Sequence, residues 1–414
     1  MNKYQQKKNA TFPANKKMLS AAVMLAVTGA YFLLQGCSGK ADNPSYAASA
    51  SLPRFNQASF SEYVADTRRW LEDNRVFISD NQAREIALNL PGEYQPEVPN
   101  GESVLLVHGL GDSPYSFVDI ARHLAGKGYL VRTILLPGHG SKVGDLILPS
   151  QADWLGVVHH HSQLLKQVSE KVWLGGYSTG ANLVTAEAIQ DDDIQGLLLF
   201  SPAFKPESDI VSWAGAASLF VTWADQDPED NYLRYNSLPM NGAAVYYQTS
   251  ETVRNKLAGN SFQRPVFMMI SEGDSVINTQ YALQVFTEKM DHPDNVLVWQ
   301  GETPLNDERA VRFSMKLPEQ RISNGSHMGL LFSPDNPEYG ISGRNRICDN
   351  GQEEGLQLLC AQGEEVWYSA WGYREPGKIH ARLTYNPYFA QSMFLLDKVM
   401  TAPPAQGEFA LKIN

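Results

Sequence analysis

Between residues 103 and 204 the chain alternates apolar runs with amphipathic segments. The apolar runs are rich in Val, Ile and Leu and are typical of buried strands: SVLLVHG, LVRTILLPGHG, KVWLGG and IQGLLLFSPAF. The segments between them carry apolar residues at helical spacing: SFVDIARHLAGKGY, QADWLGVVHHHSQLLKQV and GANLVTAEAIQ. Strands that alternate with helices form a parallel sheet covered on both faces. The pattern therefore predicts an α/β fold with a mostly parallel sheet.

The alternation stops between residues 204 and 263, in a stretch rich in Trp and Tyr. It then resumes with four predicted elements: the strand PVFMMISEGD, a helix near 279–290, the strand NVLVW, and EQRISNGSH as a strand with a loop. A helix is also predicted over 59–77, after a serine cap, and a closing helix over 386–400. We expect a core in two parts, 58–203 and 264–414, with a cap inserted at 204–263.

The N-terminus has the pattern of a secretory signal over residues 1–36. Lysines without acidic residues precede the apolar run LSAAVMLAVTGAYFLL, which ends in LLQGC. This ending resembles a bacterial lipobox and implies cleavage before Cys37 and lipidation of that cysteine. Ser38 is not the aspartate that retains such lipoproteins in the inner membrane, so the resemblance favours the outer membrane, with the body facing the periplasm or the cell surface. The alternative is an uncleaved anchor helix, for which the apolar run is short.

Composition narrows the class of protein further. The chain has 414 residues, of which 43% are hydrophobic and 19% charged, and its formal net charge is −11. An acidic chain lacks the basic surface that nucleic acid requires, so we exclude nucleic acid as a partner. Residues 37–57 are small and polar without period, and we expect a flexible tether there.

The two remaining cysteines are Cys348 and Cys360. In an exported chain, an even pair predicts a disulfide. A zinc site would need two further ligands at metal spacing, and the sequence has none there. The HHH run at 159–161 lies in a helical pattern, where consecutive residues point apart, so we predict no metal site there either.

The candidate nucleophile is Ser178, in the stretch VWLGGYSTGA. A strand that enters G-x-S-x-G and leaves as a helix is the arrangement of a nucleophile elbow. Gly176 and Gly180 would let the strand and the helix approach closely around a strained serine. The alternative for an isolated motif is a small residue in a glycine-rich bend.

A serine nucleophile needs a base, and the base needs an orienting acid. In this fold the base follows the acid along the chain, and three histidines come after residue 274: His292, His327 and His380. His292 lies in a Pro/Asp turn and His380 in a helix-like stretch, whereas His327 follows a predicted strand and a small-residue loop. Asp274 directly ends the strand PVFMMI and is a better candidate acid than its neighbour Glu272.

The oxyanion of an acyl transfer needs two backbone N–H donors. Thr179, the residue after the nucleophile, should supply one. The loop after the first parallel strand should supply the other from Leu110, and His108 should brace that loop.

Five motifs stand in order along the chain: VLLVHGLGDSPYSF, LPGHG, GYSTG, GDSV and GSHMG. Together they resemble the α/β-hydrolase superfamily, and most closely its monoacylglycerol lipase, carboxylesterase and serine aminopeptidase-like branch. The resemblance covers roughly residues 100–335 and implies Ser178 as nucleophile, Asp274 as acid, His327 as base, and Leu110 and Thr179 as oxyanion donors. Thr179 stands where many relatives have Met or Gln. The path from acid to base is long, which implies an insertion near 300–316.

These observations favour a serine hydrolase that cleaves carboxylic esters of acyl or lipid-like substrates and is anchored by an N-terminal lipid. The chemistry requires no cofactor and no metal. A serine aminopeptidase or amidase is the alternative, and it would need acidic cap residues to bind a substrate amine. The candidates for that task are Glu207, Asp209, Asp225, Asp227, Glu229 and Asp230. A third hypothesis is an inactive binding protein, although no member of the triad is missing. The sequence does not indicate an oligomeric state.

Overall fold

The secondary structure of residues 43–401, as described by a computed structural model, alternates strands and helices. The strands are β1 (Gly92–Tyr94), β2 (Glu102–Val107), β3 (Leu130–Ile134), β4 (Lys171–Tyr177), β5 (Ile194–Phe200), β6 (Trp223–Asp225), β7 (Leu238–Pro239), β8 (Val266–Ser271), β9 (Val296–Gln300), β10 (Ala310–Phe313), β11 (Trp367–Ser369) and β12 (His380–Arg382). The α-helices are α1 (Phe60–Asn74), α2 (Gln82–Asn89), α3 (Val118–Gly126), α4 (Gln151–Lys166), α5 (Thr179–Gln190), α6 (Ala214–Ala217), α7 (Met240–Ala258), α8 (Thr279–Lys289), α9 (Glu354–Ala361) and α10 (Phe389–Met400).

One sheet of eight strands, in the order β1-β3-β2-β4-β5-β8-β9-β10, forms the centre of the described part of the chain. β1 runs antiparallel to β3, and the other neighbouring strands run parallel. β2, β4, β5 and β8 are buried along nearly their whole length. Strands buried on both faces require a layer on each side. The predicted α/β fold with a mostly parallel sheet is therefore confirmed.

Helices cover both faces of this sheet. Val104 and Leu106 of β2 belong to a core cluster that includes side chains of α3 and α10. Leu105 and Val107 are equally buried and point to the opposite face, where α4 contacts β2 and α5 contacts β4. The carboxyl ends of β2, β4 and β8 meet at one edge of the sheet, so the loops after them lie close together.

Two helices begin directly after a residue whose side chain caps the helix. Ser59 accepts the backbone N–H of Glu62 at the start of α1, as the predicted serine cap requires. Ser150 and Asp153 form a reciprocal capping box at the start of α4.

The segment between β5 and β8 contains a 3-10 turn (Asp209–Trp213), α6, the β6–β7 pair and the long helix α7. From the sequence, the apolar run IVSWAGAASLFVTW of this segment is expected to line an acyl pocket or to pack on the rest of the fold. The structure instead exposes four large side chains of this run, by 71% to 88%: Ile210, Trp213, Leu219 and Phe220. Ala214 is buried, against Ala243 and Ala244 of α7. The spacing of apolar residues predicts an apolar face but does not predict which element covers it. In this segment most of that face is exposed to solvent.

Two local predictions need correction. Residues 319–324 form no regular strand; a 3-10 turn (Pro318–Gln320) and isolated bridges at Ile322 precede His327. His380 lies in strand β12 and not in a helix, because its short segment pairs with β11. In the expected insertion near 300–316, the chain forms the edge strand β10 parallel to β9.

The end of the predicted tether lies on the body. Asp145 is fully buried and accepts hydrogen bonds from the Ser49 N–H (2.6 Å), the Ser49 hydroxyl (3.1 Å) and the Ser141 hydroxyl (2.6 Å). The carbonyl of Gln57 accepts from His160 Nε2 at 2.8 Å. A polar segment without period can still satisfy a buried carboxylate, and Ser49 and Gln57 of the predicted flexible tether are hydrogen-bonded to the rest of the fold.

The predicted signal peptide, its cleavage site and Cys37 lie outside the described residues. Pro44–Tyr46 form a single 3-10 turn, and a compact unit begins at Ala47. Among the helices within residues 43–401, none has both the length and the apolar character needed to cross a membrane.

His161 of α4 is fully buried beneath α1. Its ring centroid lies 4.2 Å from that of Tyr63 and 5.7 Å from that of Phe60. Neither ring nitrogen has a hydrogen-bond partner among the described residues. Burial, followed by the positive charges of His160 and Arg132, lowers the pKa of His161 to about 3. The folded protein therefore holds this imidazole neutral.

Unfolding returns the pKa of His161 to about 6.5. Between pH 6.5 and 3, the unfolded chain therefore binds a proton at this histidine that the folded chain does not bind. This contribution to stability is complete above pH 6.5 and is lost as pH falls toward 3. We expect H161L to raise the free energy of unfolding at pH 4.5 by about 2 kcal/mol relative to the native chain, and by much less at pH 7.5. Urea unfolding at both pH values measures this. An equal effect of H161L at the two pH values would refute this account. The control is H159Q, because the side chain of His159 is 63% exposed.

Candidate active site

Ser178 lies on the tight turn between β4 and α5. Its backbone has φ 54° and ψ −115°, a conformation that non-glycine residues rarely adopt. The turn needs glycine on both sides of the serine. A Cβ on Gly176 would overlap the backbone of Gly180, and a Cβ on Gly180 would overlap the carbonyl oxygen of Val107 in β2. The G-x-S-x-G motif is thus a steric requirement of this turn.

The substitution G180A should therefore destabilise the protein. The methyl group would force α5 away from β2, and we expect a loss of about 3 kcal/mol in the free energy of unfolding. Urea unfolding measures the loss. G126A at the end of α3 is the matched control, since a Cβ there meets nothing within 4 Å. Equal stability of G180A and G126A would contradict the steric account.

His327 stands between Ser178 and Asp274. The Ser178 hydroxyl lies 3.0 Å from His327 Nε2, within reach to donate its proton. On the other side of the ring, Nδ1–H donates to Asp274 Oδ2 at 2.5 Å. The side chain of Asp274 is fully buried and that of His327 is 13% exposed. The structure thus brings together the three residues that the sequence predicts as a triad, although they are 149 and 53 positions apart along the chain.

Asp274 is oriented by its own loop, just beyond β8. Its Oδ1 accepts the backbone N–H groups of Val276 (2.8 Å) and Ile277 (3.2 Å), which leaves Oδ2 for the imidazole. Glu272, the other acid considered, accepts hydrogen bonds from Thr303 and from the backbone of Glu302. It therefore serves the loop after β9.

The segment after residue 333 holds the loop of His327, a role that sequence reasoning missed. The Ser323 N–H donates to the carbonyl of Tyr368 in β11 at 2.9 Å. The Ser326 hydroxyl donates to the carbonyl of Leu383, which follows β12. The predicted disulfide between Cys348 and Cys360 is present in the structure, and Cys360 is buried in a small apolar cluster that includes Ala381 of β12. The extension that carries the disulfide thus supports the loop of the candidate base.

The other two candidate bases serve elsewhere. His292 Nδ1 accepts the backbone N–H of Asp294 at 3.2 Å. His380 Nδ1 bonds to the Ser369 hydroxyl at 3.0 Å, between β11 and β12.

The candidate oxyanion donors flank Ser178. Thr179 is the first residue of α5, where a backbone N–H has no acceptor within its own helix. Leu110 follows Gly109, and Gly109 packs so closely on the elbow that a Cβ there would lie 3.2 Å from the Cβ of Ser178. His108 Nδ1–H donates to the Gly109 carbonyl at 2.8 Å. In a trans peptide the Leu110 N–H points away from that carbonyl, so His108 fixes the direction of the donor.

Two buried histidines lock this loop. His108 Nε2 accepts the Leu136 N–H at 3.0 Å, and His139 Nε2 accepts the Gly111 N–H at 3.0 Å. Burial lowers the pKa of His139 to about 4 and places that of His108 far below 6.5, so both rings are neutral and able to accept. The prediction that His108 braces the loop agrees with these contacts, and His139 of the LPGHG motif adds a second brace.

The HHH run points in three directions. His159 bonds to Glu187, His160 to the carbonyl of Gln57, and His161 packs on aromatic rings. In the part of the chain that the structure describes, no group of three His, Cys, Asp or Glu side chains is arranged to hold a metal ion.

Comparison with known proteins matches residues 99–227 to a family described as "Serine aminopeptidase, S33". A thermostable monoacylglycerol lipase of Bacillus sp. (strain H-257) is 25% identical over 227 residues, which are 51% of this chain and 90% of that protein. Among solved structures, the Paleococcus ferrophilus monoacylglycerol lipase has a TM-score of 0.43 at 20% identity, over 50% of this chain and 87% of that one. A monoglyceride lipase variant from Saccharomyces cerevisiae has a TM-score of 0.40 at 15% identity, over 51% and 81% of the two chains.

The match to the family spans β2 through β6. It therefore includes the elbow at Ser178 and the loop after β2 that carries the candidate oxyanion donor Leu110. About half of this chain lies outside the match to the Bacillus lipase. The family match and that relative both support the branch that includes serine aminopeptidases and monoacylglycerol lipases. By its mostly parallel sheet, its elbow and the family match over residues 99–227, the chain has the α/β-hydrolase fold.

Proposed function

We propose that this protein hydrolyses carboxylic esters through an acyl-enzyme on Ser178. The observation that carries the proposal is the hydrogen-bonded chain from Ser178 through His327 to Asp274. In the first half-reaction, Ser178 Oγ attacks the ester carbonyl while His327 Nε2 takes the hydroxyl proton. The resulting imidazolium is stabilised by Asp274, and the N–H groups of Leu110 and Thr179 bind the oxyanion. His327 then passes its proton to the leaving alcohol as the ester bond breaks.

Water completes the cycle. It donates a proton to His327 Nε2 as its oxygen attacks the acyl carbonyl, and the same oxyanion donors bind the second intermediate. Collapse breaks the bond to Ser178 Oγ, which recovers its proton from His327 and releases the carboxylic acid. The N-terminus of α5 lies behind the elbow, so the helix dipole favours the negative charge that develops there.

An acyl or lipid-like substrate fits this chain best. Four large apolar side chains between residues 210 and 220 are exposed to water, and such exposure is costly unless an apolar partner covers it: Ile210, Trp213, Leu219 and Phe220. The Bacillus relative is named a monoacylglycerol lipase, which agrees with an acyl ester as substrate.

Two of the six acidic cap residues are already engaged within the cap, which weakens them as ligands for the substrate amine of an aminopeptidase. Both carboxylate oxygens of Glu229 accept backbone N–H groups, from Asn236 (3.0 Å) and Ser237 (2.8 Å). Asp230 accepts from the side chain of Asn236 at 2.7 Å. These two carboxylates accept hydrogen bonds within the cap loop, so their oxygens already have partners in the absence of a substrate amine.

A substrate panel separates the two functions. p-Nitrophenyl esters of increasing chain length are compared with amino-acid p-nitroanilides, using the full chain and S178A. We expect ester hydrolysis that S178A abolishes and a far lower kcat/KM on the anilides. A higher kcat/KM on anilides would overturn the ester proposal in favour of the peptidase.

We further propose that Cys37 carries the lipid anchor and that the protein resides in the outer membrane. The support is the order of lysines, apolar run and LLQGC in the sequence. Feeding an alkyne fatty acid to expressing cells should label the native chain and not C37S. Labelling of both would place the lipid elsewhere, and labelling of neither would refute the anchor.

A further inference from the structure

Arg234 places a guanidinium beside Met328, the residue next to the candidate base, with no carboxylate of the described residues in ion-pair contact. Its Nη1 lies 3.4 Å from Sδ of Met328, the residue that follows His327. A thioether sulfur is a weak acceptor, whereas a guanidinium carries five N–H donors. Among residues 43–401 no carboxylate oxygen lies within the 4.0 Å of an ion pair with Arg234. Most of its hydrogen-bonding capacity is therefore open to a ligand.

The chain around Arg234 is held in place on both sides. Before it, Asn231 is buried and its Oδ1 accepts the N–H of Leu233 at 3.0 Å. After it, the Tyr235 N–H donates to the carbonyl of Gly111 at 2.7 Å. Gly111 belongs to the same loop as the oxyanion donor Leu110. Arg234 is thus fixed on the cap side of the loop that faces the reacting carbonyl.

The acidic group that interacts with Arg234 is Asp112, in the loop after β2. Asp112 interacts electrostatically with both Arg234 and His327, and burial raises its pKa to about 6, so it ionises less readily than an exposed aspartate. A second guanidinium stands nearby. Burial, and then the positive charge of Arg234, lowers the pKa of Arg382 to about 9. Arg234 thus shares its surroundings with a second guanidinium and with a carboxyl group whose pKa is raised to about 6.

We propose that Arg234 is a specificity-determining residue that recognises an anionic group, a carboxylate or a phosphate, on the ester substrate. The proposal rests on the ester hydrolase function proposed above. The planar fork of a guanidinium binds two oxygens of either group at once. Arg234 contacts Met328 and not Ser178. The recognised group is therefore a substituent of the substrate, and the reacting carbonyl is left to the oxyanion donors.

Two matched substrate pairs test this. Mono-p-nitrophenyl glutarate is compared with p-nitrophenyl pentanoate, which places the charge on the acyl side. Lysophosphatidic acid is compared with the monoacylglycerol of the same chain, which places it on the alcohol side. The proteins are the full native chain, R234Q, R234K and the control R122Q, whose side chain is 65% exposed.

We expect the native protein to prefer the anionic member of at least one pair. R234Q should lower kcat/KM for that anionic ester by roughly 10- to 100-fold, mainly through KM, and change the neutral ester by less than about twofold. R234K should retain part of the preference, because it keeps the charge but loses the fork. R122Q should match the native protein on both members.

Equal losses on the anionic and the neutral ester in R234Q would overturn the proposal, since they would indicate a packing role. An absent preference in the native protein would also overturn it. If the native protein hydrolyses neither member of either pair, the ester hydrolase function itself fails. That result is distinct from hydrolysis without charge discrimination, which removes only the role of Arg234.

Discussion

Replacing Ser178 with alanine is expected to lower kcat for ester hydrolysis by about 10³-fold or more, toward the background that substrate binding and the oxyanion donors sustain alone. Alanine has no hydroxyl to attack the carbonyl, and His327 then has no proton to accept. Alanine keeps the Cβ that serine already accommodates at φ 54°, so the elbow should fold unchanged. Initial rates on a p-nitrophenyl ester measure the loss.

The control for S178A is its thermal unfolding, which should match that of the native chain. A folded S178A that retained more than about a tenth of the native kcat would show that the ester is cleaved elsewhere, because loss of a true nucleophile costs orders of magnitude. The fold of the elbow would then have a structural purpose only.

The substitution D274N should lower kcat by about 10³- to 10⁴-fold with little effect on folding. Asparagine Oδ1 can still accept the N–H groups of Val276 and Ile277, which preserves the turn. Its amide, however, donates to His327 Nδ1, where the carboxylate accepts. The proton of the imidazole then resides on Nε2, and the ring cannot accept the proton of Ser178.

E272Q is the matched control for D274N, because Glu272 is an acid two positions away that bonds to the loop after β9. We expect E272Q to remain within a few-fold of the native kcat. If E272Q lost as much activity as D274N, the general stability of the loops after β8 and β9 would explain both results. The assignment of Asp274 as the orienting acid would then fail.

The central sheet and the order of the site residues could be predicted because their signals are local. Each buried strand is an apolar run of its own, and the elbow motif joins β4 to α5 directly. The placement of Asp274 followed from the rule that parallel strands end at one edge of the sheet, and His327 followed from its order after the acid along the chain. No long-range contact was needed for these inferences.

The rest depended on contacts between distant segments. The loop of His327 is not preceded by a strand, and it is supported by Ser326 bonding to Leu383, 57 positions away. The short segment of His380 is a strand only because β11 lies beside it. No sequence motif marks Arg234 as a candidate site residue. Its place beside the candidate base depends on its contact with Met328, which is distant along the chain. The exposure of Phe220 and its neighbours also depends on which surfaces meet, and composition does not report that.

The most direct test of the central claim is covalent labelling of Ser178. The full native chain is treated with a fluorophosphonate probe, and the modified peptide is identified by mass spectrometry, with S178A as the control. We predict one probe per chain, attached to Ser178, with parallel loss of ester hydrolysis, and no labelling of S178A. A folded native chain that is not labelled on Ser178 would contradict the account.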